Sequence, residues 1–515
     1  MREIKKHMSD RSRTKSSITN MFASLLNSII AFIIRFAVRR LFLEAFGISV
    51  FGYNATFNSL LGMLNLAELG IGTAITYKMY EPIAKKEYNV VQAYLEIYKK
   101  LYFRIGIIIF SIGVLFIPLL PVVVKESYSD LLYLASIYLL QLLVTVASYW
   151  IAYRRILFNV FQDNFISSFV DTIVFIIISI IQIIDMKTAK NYYLYLLLTV
   201  LQIIISNLIL QIISSGKYSF VISNKENIVK YKFSDTKHDI SNVMISKFGG
   251  YVLNSTDALV VSTILGAAAS GLLANYSTIY ISFQTMILAM LSTLQPSLGN
   301  KIYSNGSRDE IEQIILRMTF MCQLAGSVFS ITAFNTINAF VSMWVGEQYL
   351  LESSVAILYS INTYIYIVMY PISLIFGALG YYKFDKKVIS LAAITNIILS
   401  VLFVKFWDIS GVLIGTGISL LMYWVCRVYL LYKEFYNKTA KKYIYKVIRC
   451  FLAVVISVLI SFILPRIEVV DSMFIDFIIN CVQVVLLTFV VNIIVFINTD
   501  ELKYLVGFIN RIIKR

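Results

Sequence analysis

Arg35 and Arg39 stand four residues apart in a run that is otherwise almost wholly apolar, SLLNSIIAFIIRFAVRRLFLEAF. Three carboxylates occupy similar company: Glu68 in LNLAELGIGTAITY, Asp171 in SSFVDTIVF and Asp257 in NSTDALVV. A charged side chain near the middle of a bilayer costs about 2.5–3.5 kcal/mol on insertion scales, so such groups face a protein interior or a wet cavity. Two chemistries suit them. They can pair with one another and knit helices together, or they can handle a charged cargo or ion along a transport path. Glu68 is placed to pair with Arg35 or Arg39 across the first two helices, and such a pair could be a packing device or a gate. Arg40 points away from the other two and snorkels towards the interface.

On a 100° wheel these charges sit within stripes of neutral polar residues. Asn20, Ser24, Asn27, Ser28, Ala31, Arg35 and Arg39 share one face of the first helix. Asn54, Asn58, Gly62, Asn65, Glu68 and Gly72 share one face of the second, and Asn242, Ser246, Gly250, Asn254 and Asp257 one face of the seventh. Asn275, Thr278, Ser282, Thr285 and Ser292 form a broader band on the eighth. Small polar residues also let helices pack closely, so the neutral stripes fit a bundle interface as well as a cavity lining. The cavity reading singles out Ser28, Asn54, Asn58, Asn65, Asn254 and Asp171.

The elements that carry these side chains are transmembrane helices. The chain has 515 residues, 59% hydrophobic and only 14% charged, with a mean hydropathy of +0.77. A soluble fold of that length could not cover so much apolar surface. Windows of about 20 apolar residues, the length that crosses the hydrocarbon core, fall at 18–44, 50–77, 96–121, 130–151, 158–184, 192–214, 241–265, 271–298, 313–341, 354–379, 388–405, 411–432, 446–465 and 474–497. The prediction is an all-α polytopic membrane protein of about 14 helices, with Arg154 and Arg155 in a short turn between the fourth and fifth. No small-residue cleavage site follows the basic start, so no removable signal peptide is expected.

Charge placement orients the spans. With both termini cytoplasmic, the outer segments hold only Lys125, Lys187, Lys190, Lys405 and Arg466, and the first span holds Arg35, Arg39 and Arg40. All the others of the 45 Lys and Arg lie inside, as the positive-inside rule requires. Anionic headgroups of the inner leaflet then account for the net charge of +16, and no nucleic-acid partner is needed.

The longest polar interruption, 215–240, separates a six-helix lobe at 18–214 from a second at 241–435. A basic tail occupies 1–17, and two further helices with a cytoplasmic C-terminus fill 436–515. Gly47 and Gly52 at the first outer turn are spaced like Gly266 and Gly271 six helices later, which suggests two repeats of one orientation. The four cysteines stand singly in apolar segments and the two histidines, His7 and His238, lie in polar ones. This pattern argues against a disulfide framework, a metal centre or histidine catalysis, and the chain is not expected to be an enzyme. A glycan polymerase would want a large outer loop, and the outer loops here are short.

The stretch RLFLEAFGISVFGYNATFNSLLGMLNLAELGIGTAITYKMYEPIAKKEYNVVQAYLEIYKKLY resembles the start of bacterial polysaccharide repeat-unit (O-antigen or capsule) flippases of the multidrug/oligosaccharidyl-lipid/polysaccharide exporter superfamily. The matching features are Phe46-Gly47 followed by Phe51-Gly52, the run Leu66 to Gly72, and Tyr80-Glu81-Pro82. The second half begins NSTDALVVSTILGAAASGLLANYSTI, which is also similar to that family, with Asp257 in the place of an acidic residue. Motif matching is confined to about 36–102 and 250–280, and Phe46 departs from the more usual Leu-Gly.

The resemblance implies two lobes around a central cavity and alternating access between them. The cargo would be an undecaprenyl-pyrophosphate-linked oligosaccharide moved from the inner to the outer leaflet of the bacterial cytoplasmic membrane. Arg35 and Arg39 would hold the headgroup, since guanidinium offers phosphate oxygens a planar fork. Glu68 or Asp257 would serve coupling or gating through a proton or sodium ion, with no other cofactor. Partners would be membrane lipids, a polysaccharide polymerase and other assembly proteins. The alternative within the superfamily is a cation-coupled multidrug antiporter, and a scaffold of a synthesis complex is a further class.

Overall fold

In lipid only a helix or a closed barrel satisfies every backbone N–H and C=O, and the apolar runs of this chain fold as helices. The computed structural model describes residues 13–65, 71–126, 130–161, 163–223, 248–253, 255–292, 307–464 and 472–513, with isolated positions between 245 and 302. Among the described residues there is no strand, and nine helical segments are long and apolar enough to cross a membrane. The chain is an all-α polytopic membrane protein. By its internal contacts it divides into two compact units, Met1–Phe248 with Gly266–Ala268, and Gly249–Leu265 with Ala269–Arg515.

The first unit opens with α1, Arg13–Asn65, broken at Gly47, where φ is 82° and ψ 170°. A Cβ at Gly47 would meet nothing within 4 Å, so glycine is required by the left-handed backbone and not by space. The first two predicted spans meet at this break. After α2, Ile71–Lys85, come α3, Tyr88–Leu115, and α4, Leu131–Ile151. The turn predicted at Arg154-Arg155 is displaced. The chain tightens into a 3-10 turn over Ala152–Arg154 and resumes as α5, Arg155–Val160, before reversing near 161–163. No Gly or Pro interrupts YRRILFNV, so the helix has no local reason to stop at the arginines. Then follow α6, Asn164–Lys187, and α7, Tyr192–Lys217.

α6 shows how these helices sort their faces. Phe169, Ile173, Ile177, Ile180 and Ile184 recur every three or four residues and are exposed, as a lipid-facing stripe must be. Val170, Val174, Ile178, Gln182 and Asp185 are buried on the other side. Gln182 is satisfied there by the Tyr195 carbonyl at 3.1 Å and Thr199 at 3.0 Å on α7. Of the long interruption predicted at 215–240, residues 215–217 still belong to α7, a helical turn follows at Ser219–Ile222, and 224–240 lie outside the described residues.

The second unit contains α8, Asp257–Leu265; α9, Ala267–Ser292; α10, Arg308–Val345; α11, Ser353–Val368; and α12, Tyr370–Leu379. Pro371 sits in the first turn of α12 and marks the break from α11, since a proline there removes a helix hydrogen bond. α13, Tyr382–Leu430, joins two predicted spans through Trp407 and Asp408, whose backbones leave the helical region. Its two arms cross closely. A Cβ on Gly411 would stand 2.1 Å from the Phe403 carbonyl oxygen, and one on Gly415 2.7 Å from the Ser400 amide nitrogen. Ile365, Ile372, Ile375, Leu420 and Trp424 build the core beside these arms. The trailing helices α14, Lys441–Ile463, and α15, Met473–Phe496, belong to this second unit. Phe320 of α10 packs with Cys450, Ala453 and Phe496 from them. The chain ends in α16, Asp500–Ile513.

Candidate functional site

The apolar sequence around Arg35 and Arg39 supplies aromatic rings, and the structure sets each guanidinium against one. Arg35 lies 5.9 Å from the Phe175 ring centre on α6, and Arg39 lies 4.0 Å from that of Phe51. Beside Arg39, Phe42, Phe46, Tyr192 and Tyr195 form a mutually packed cluster of rings. Arg35 is exposed, Arg39 half-buried, and among the described residues Arg35 meets no carboxylate. Arg40, as its angle on the wheel predicts, is on the surface in an ion pair with Glu44 at 2.9 Å. Ser28 lies on α1, outside the described side chains.

The amides on the second arm of α1 separate by partner. Asn54 Oδ1 accepts from Gln141 Nε2 at 2.6 Å and from the Tyr192 hydroxyl at 2.7 Å, joining α1, α4 and α7. The Tyr149 hydroxyl lies 3.1 Å from both Asn65 oxygens. Asn58 is exposed. Glu68 falls outside the described residues, as does Asn254.

Asp171 has a partner that sequence spacing does not supply. Arg155 grips it bidentately at 2.7 Å through each terminal nitrogen, while Arg155 Nε donates to Asn207 at 2.7 Å. A fork on a carboxylate is a strong, directional contact, and it ties α5, α6 and α7 together. Nearby, Asp163 takes Lys217 at 2.7 Å and the Tyr218 hydroxyl at 2.9 Å. Burial, and then the Asp163 carboxylate, hold the Tyr218 phenol well above its ordinary pKa.

In the second unit Asp257 begins α8 and points its half-buried carboxylate at α13. Thr416 donates to Asp257 Oδ1 at 2.9 Å and accepts from Asn396 Nδ2 at 2.9 Å. Asn396 Oδ1 in turn lies 3.1 Å from the Thr256 hydroxyl. Asn396 and Thr416 belong to opposite arms of α13, and the close crossing at Gly411 and Gly415 brings them together. Sequence reading missed both, although Gly411-x-x-x-Gly415 was the available signal for such an approach. The polar band of α9 is largely self-contained: Thr278, Ser282 and Thr285 each hydrogen-bond a carbonyl one turn back.

Sorting cations by side counts Arg427 with the inner ones but gives it no partner, and the structure supplies one. Arg427 is a buried residue of α13, 2.7 Å from Asp385 and 2.6 Å from the Ser373 hydroxyl. Tyr423 and Phe376 cover its guanidinium at 4.2 and 4.9 Å. Lys446 is likewise buried, in an ion-pair contact at 2.9 Å with Glu501 of α16. Lys438 donates to Asp309 at 2.6 Å and to Glu312 at 2.7 Å, and these hydrogen bonds, that to Asp309 first, raise its pKa above the ordinary lysine value.

No protein-family model matches the chain, and no curated protein does. Solved structures do. The lipid II flippase MurJ, in an inward closed conformation, superposes with a TM-score of 0.66 at 15% identity, covering 93% of this chain and 99% of that one. A mutant MATE transporter of Vibrio cholerae, VcmN, gives 0.54 at 14% identity and covers 82% of this chain and 99% of its own. The MATE multidrug transporter DinF-BH gives 0.54 at 15% identity over 81% and 94%. At these identities the likeness is one of fold. The chain has the architecture of these transporters.

Proposed function

We propose that this chain is a flippase that moves an undecaprenyl-pyrophosphate-linked oligosaccharide repeat unit from the inner to the outer leaflet, for capsule, exopolysaccharide or O-antigen assembly. One observation carries the choice of cargo class. The lipid II flippase spans 93% of this chain, whereas the two MATE transporters account for almost all of their own length and only 81–82% of this one. The extra length here is length that a transporter of lipid-linked cargo also has.

The α1 arginines suit such a cargo. A pyrophosphate is anionic, and guanidinium offers its oxygens paired donors. An arginine resting on an arene, as Arg35 does, keeps its charge and its hydrogen-bond donors for a ligand, because ring faces attract a cation without accepting conventional hydrogen bonds. Asp257, held by Thr416, would answer to a coupling proton or sodium ion while the two units alternate access. Export in one direction requires that ion gradient or downstream consumption of the product, since a ligand shifts an equilibrium only by its differential affinity for the two states.

The test is complementation of a flippase-null strain by Arg35→Ala plus Arg39→Ala. Each charge-assisted hydrogen bond lost is worth about 1.5–3 kcal/mol, so surface polysaccharide falls by at least about tenfold at normal expression. Normal polysaccharide in that variant overturns the headgroup role. For coupling, purified protein in vesicles responds to an imposed proton or sodium gradient, and Asp257→Asn abolishes the response. The MATE likeness favours one rival, the cation-coupled antiporter: a deletion strain with altered drug susceptibility and intact polysaccharide would establish it instead.

A further inference from the structure

The second unit holds a cavity of about 390 Å³ formed by α10, α11, α14 and α15. That lies within the range of about 300–1,000 Å³ typical of small-molecule sites. Among the described residues none that lines it is charged, yet it gathers four carboxamides, Asn335, Asn338, Asn480 and Gln483, with the rings of Phe334 and Phe462. A buried amide is costly unless its hydrogen bonds are met, so the partners of each amide decide what it can offer a ligand.

Their existing bonds show what is left to offer. Asn335 donates to the Ile331 carbonyl and to Ser461, which leaves its carbonyl oxygen as an acceptor. Asn338 is the reverse: its oxygen takes the Tyr276 hydroxyl at 2.7 Å, which leaves its NH₂ as a donor. Donors and acceptors three residues apart on one helix match a ligand whose groups do both, and hydroxyls are such groups. Phosphate or carboxylate would want a cation, and an ammonium would want a carboxylate or an aromatic cage. The cavity has an edge-to-face ring pair, Phe334 and Phe462 at 5.5 Å, and no charge among its described lining residues. Phe462 is 68% exposed, so the cavity opens beside an apolar rim on the lipid side. The lining comes from the end of α10, the start of α11, the end of α14 and the first half of α15. With the orientation read from the charges, that is the level of the outer headgroups.

We infer that this cavity binds an uncharged glycosyl group, with vicinal hydroxyls on the amides and a C–H face on the rings. The sugar can come from a glycolipid headgroup or from a free glycoside in the outer water. The inference stands apart from the transport reading, because it concerns other helices and no charged residue.

The experiment uses the full chain in phosphatidylcholine nanodiscs with a photoreactive monoglucosyl diacylglycerol, against a phosphatidylcholine probe with the same photoreactive chain. Peptide mapping of the unaltered protein should place the glucosyl probe on segments 334–338, 461–464 and 480–484, about tenfold above the matched probe, as two or so hydrogen bonds would give. Asn335→Leu and Asn338→Leu should each remove most of that excess, and Asn338→Gln should restore part of it. Displacement by millimolar methyl glucoside supports the glycosyl site with a water-borne source, and resistance to it supports the lipid source. Equal labelling by both probes, or glucosyl labelling confined to other segments, overturns the inference, and this mapping does not depend on any variant folding.

Discussion

α1 and α13 each carry arginine within an apolar helix, and they treat it in opposite ways. Arg427 of α13 is buried against Asp385 at 2.7 Å with Ser373 as a second acceptor, so its charge is neutralised where it stands. Arg35 and Arg39 of α1 rest on Phe175 and Phe51 and are half-buried or exposed. Breaking a buried pair costs about 3–5 kcal/mol, because the surviving charge is stranded. Leaving a ring face costs about 0.5–1 kcal/mol at such exposure. The α13 arginine is therefore part of the scaffold, while Arg35, exposed on its ring, can change partners without unfolding its unit.

The largest effect should come from Asp385→Ala, which strands Arg427 and lowers stability by about 3–5 kcal/mol in thermal unfolding of the purified protein. The double substitution Asp385→Leu with Arg427→Met should recover most of that loss; a double variant as unstable as the single would break the comparison. Next comes Gly415→Ala. Its Cβ would meet the Ser400 amide nitrogen, backbone that cannot swing aside, so about 1–3 kcal/mol is lost. An unchanged midpoint there would mean that the arms of α13 stand further apart. Arg35→Ala should cost only about 0.5–1 kcal/mol in the same assay, and a loss as large as that of Asp385→Ala would make Arg35 a scaffold residue too.

The smallest effect is a pH dependence at Lys438. Its folded pKa is raised, so its contribution is fully present below the ordinary lysine value of about 10.4 and fades as pH rises through the folded value. Asp309→Asn should lower the unfolding midpoint slightly at pH 9 and leave it equal to the wild type at pH 12. A difference that persists at pH 12 would show that the contact is not ionic.

Much of the fold was legible because it is written in composition. Apolar runs of membrane length and the break at Gly47 both follow from local spacing. What stayed hidden was pairing across sequence distance. Asp385 and Arg427 are 42 residues apart, and nothing in the local spacing of either marks the other as its partner. Arg155 reads as a turn residue because its acceptors, Asp171 and Asn207, come from two other helices. Thr416 carries no signal of its own; only the closeness that Gly411 and Gly415 allow turns it into the partner of Asp257.

The non-helical pair Trp407-Asp408 has a consequence for the whole second unit. At this bend Phe406 and Trp407 are 76% and 54% exposed, between two arms that the glycine crossing holds rigid. An indole at a membrane–water boundary favours one depth, because its ring and its N–H want different surroundings. A stiff hairpin tipped with such a float sets the draught of everything bolted to it. An anchor of that kind resists being pushed deeper or lifted out of such a boundary more than it resists leaning about it.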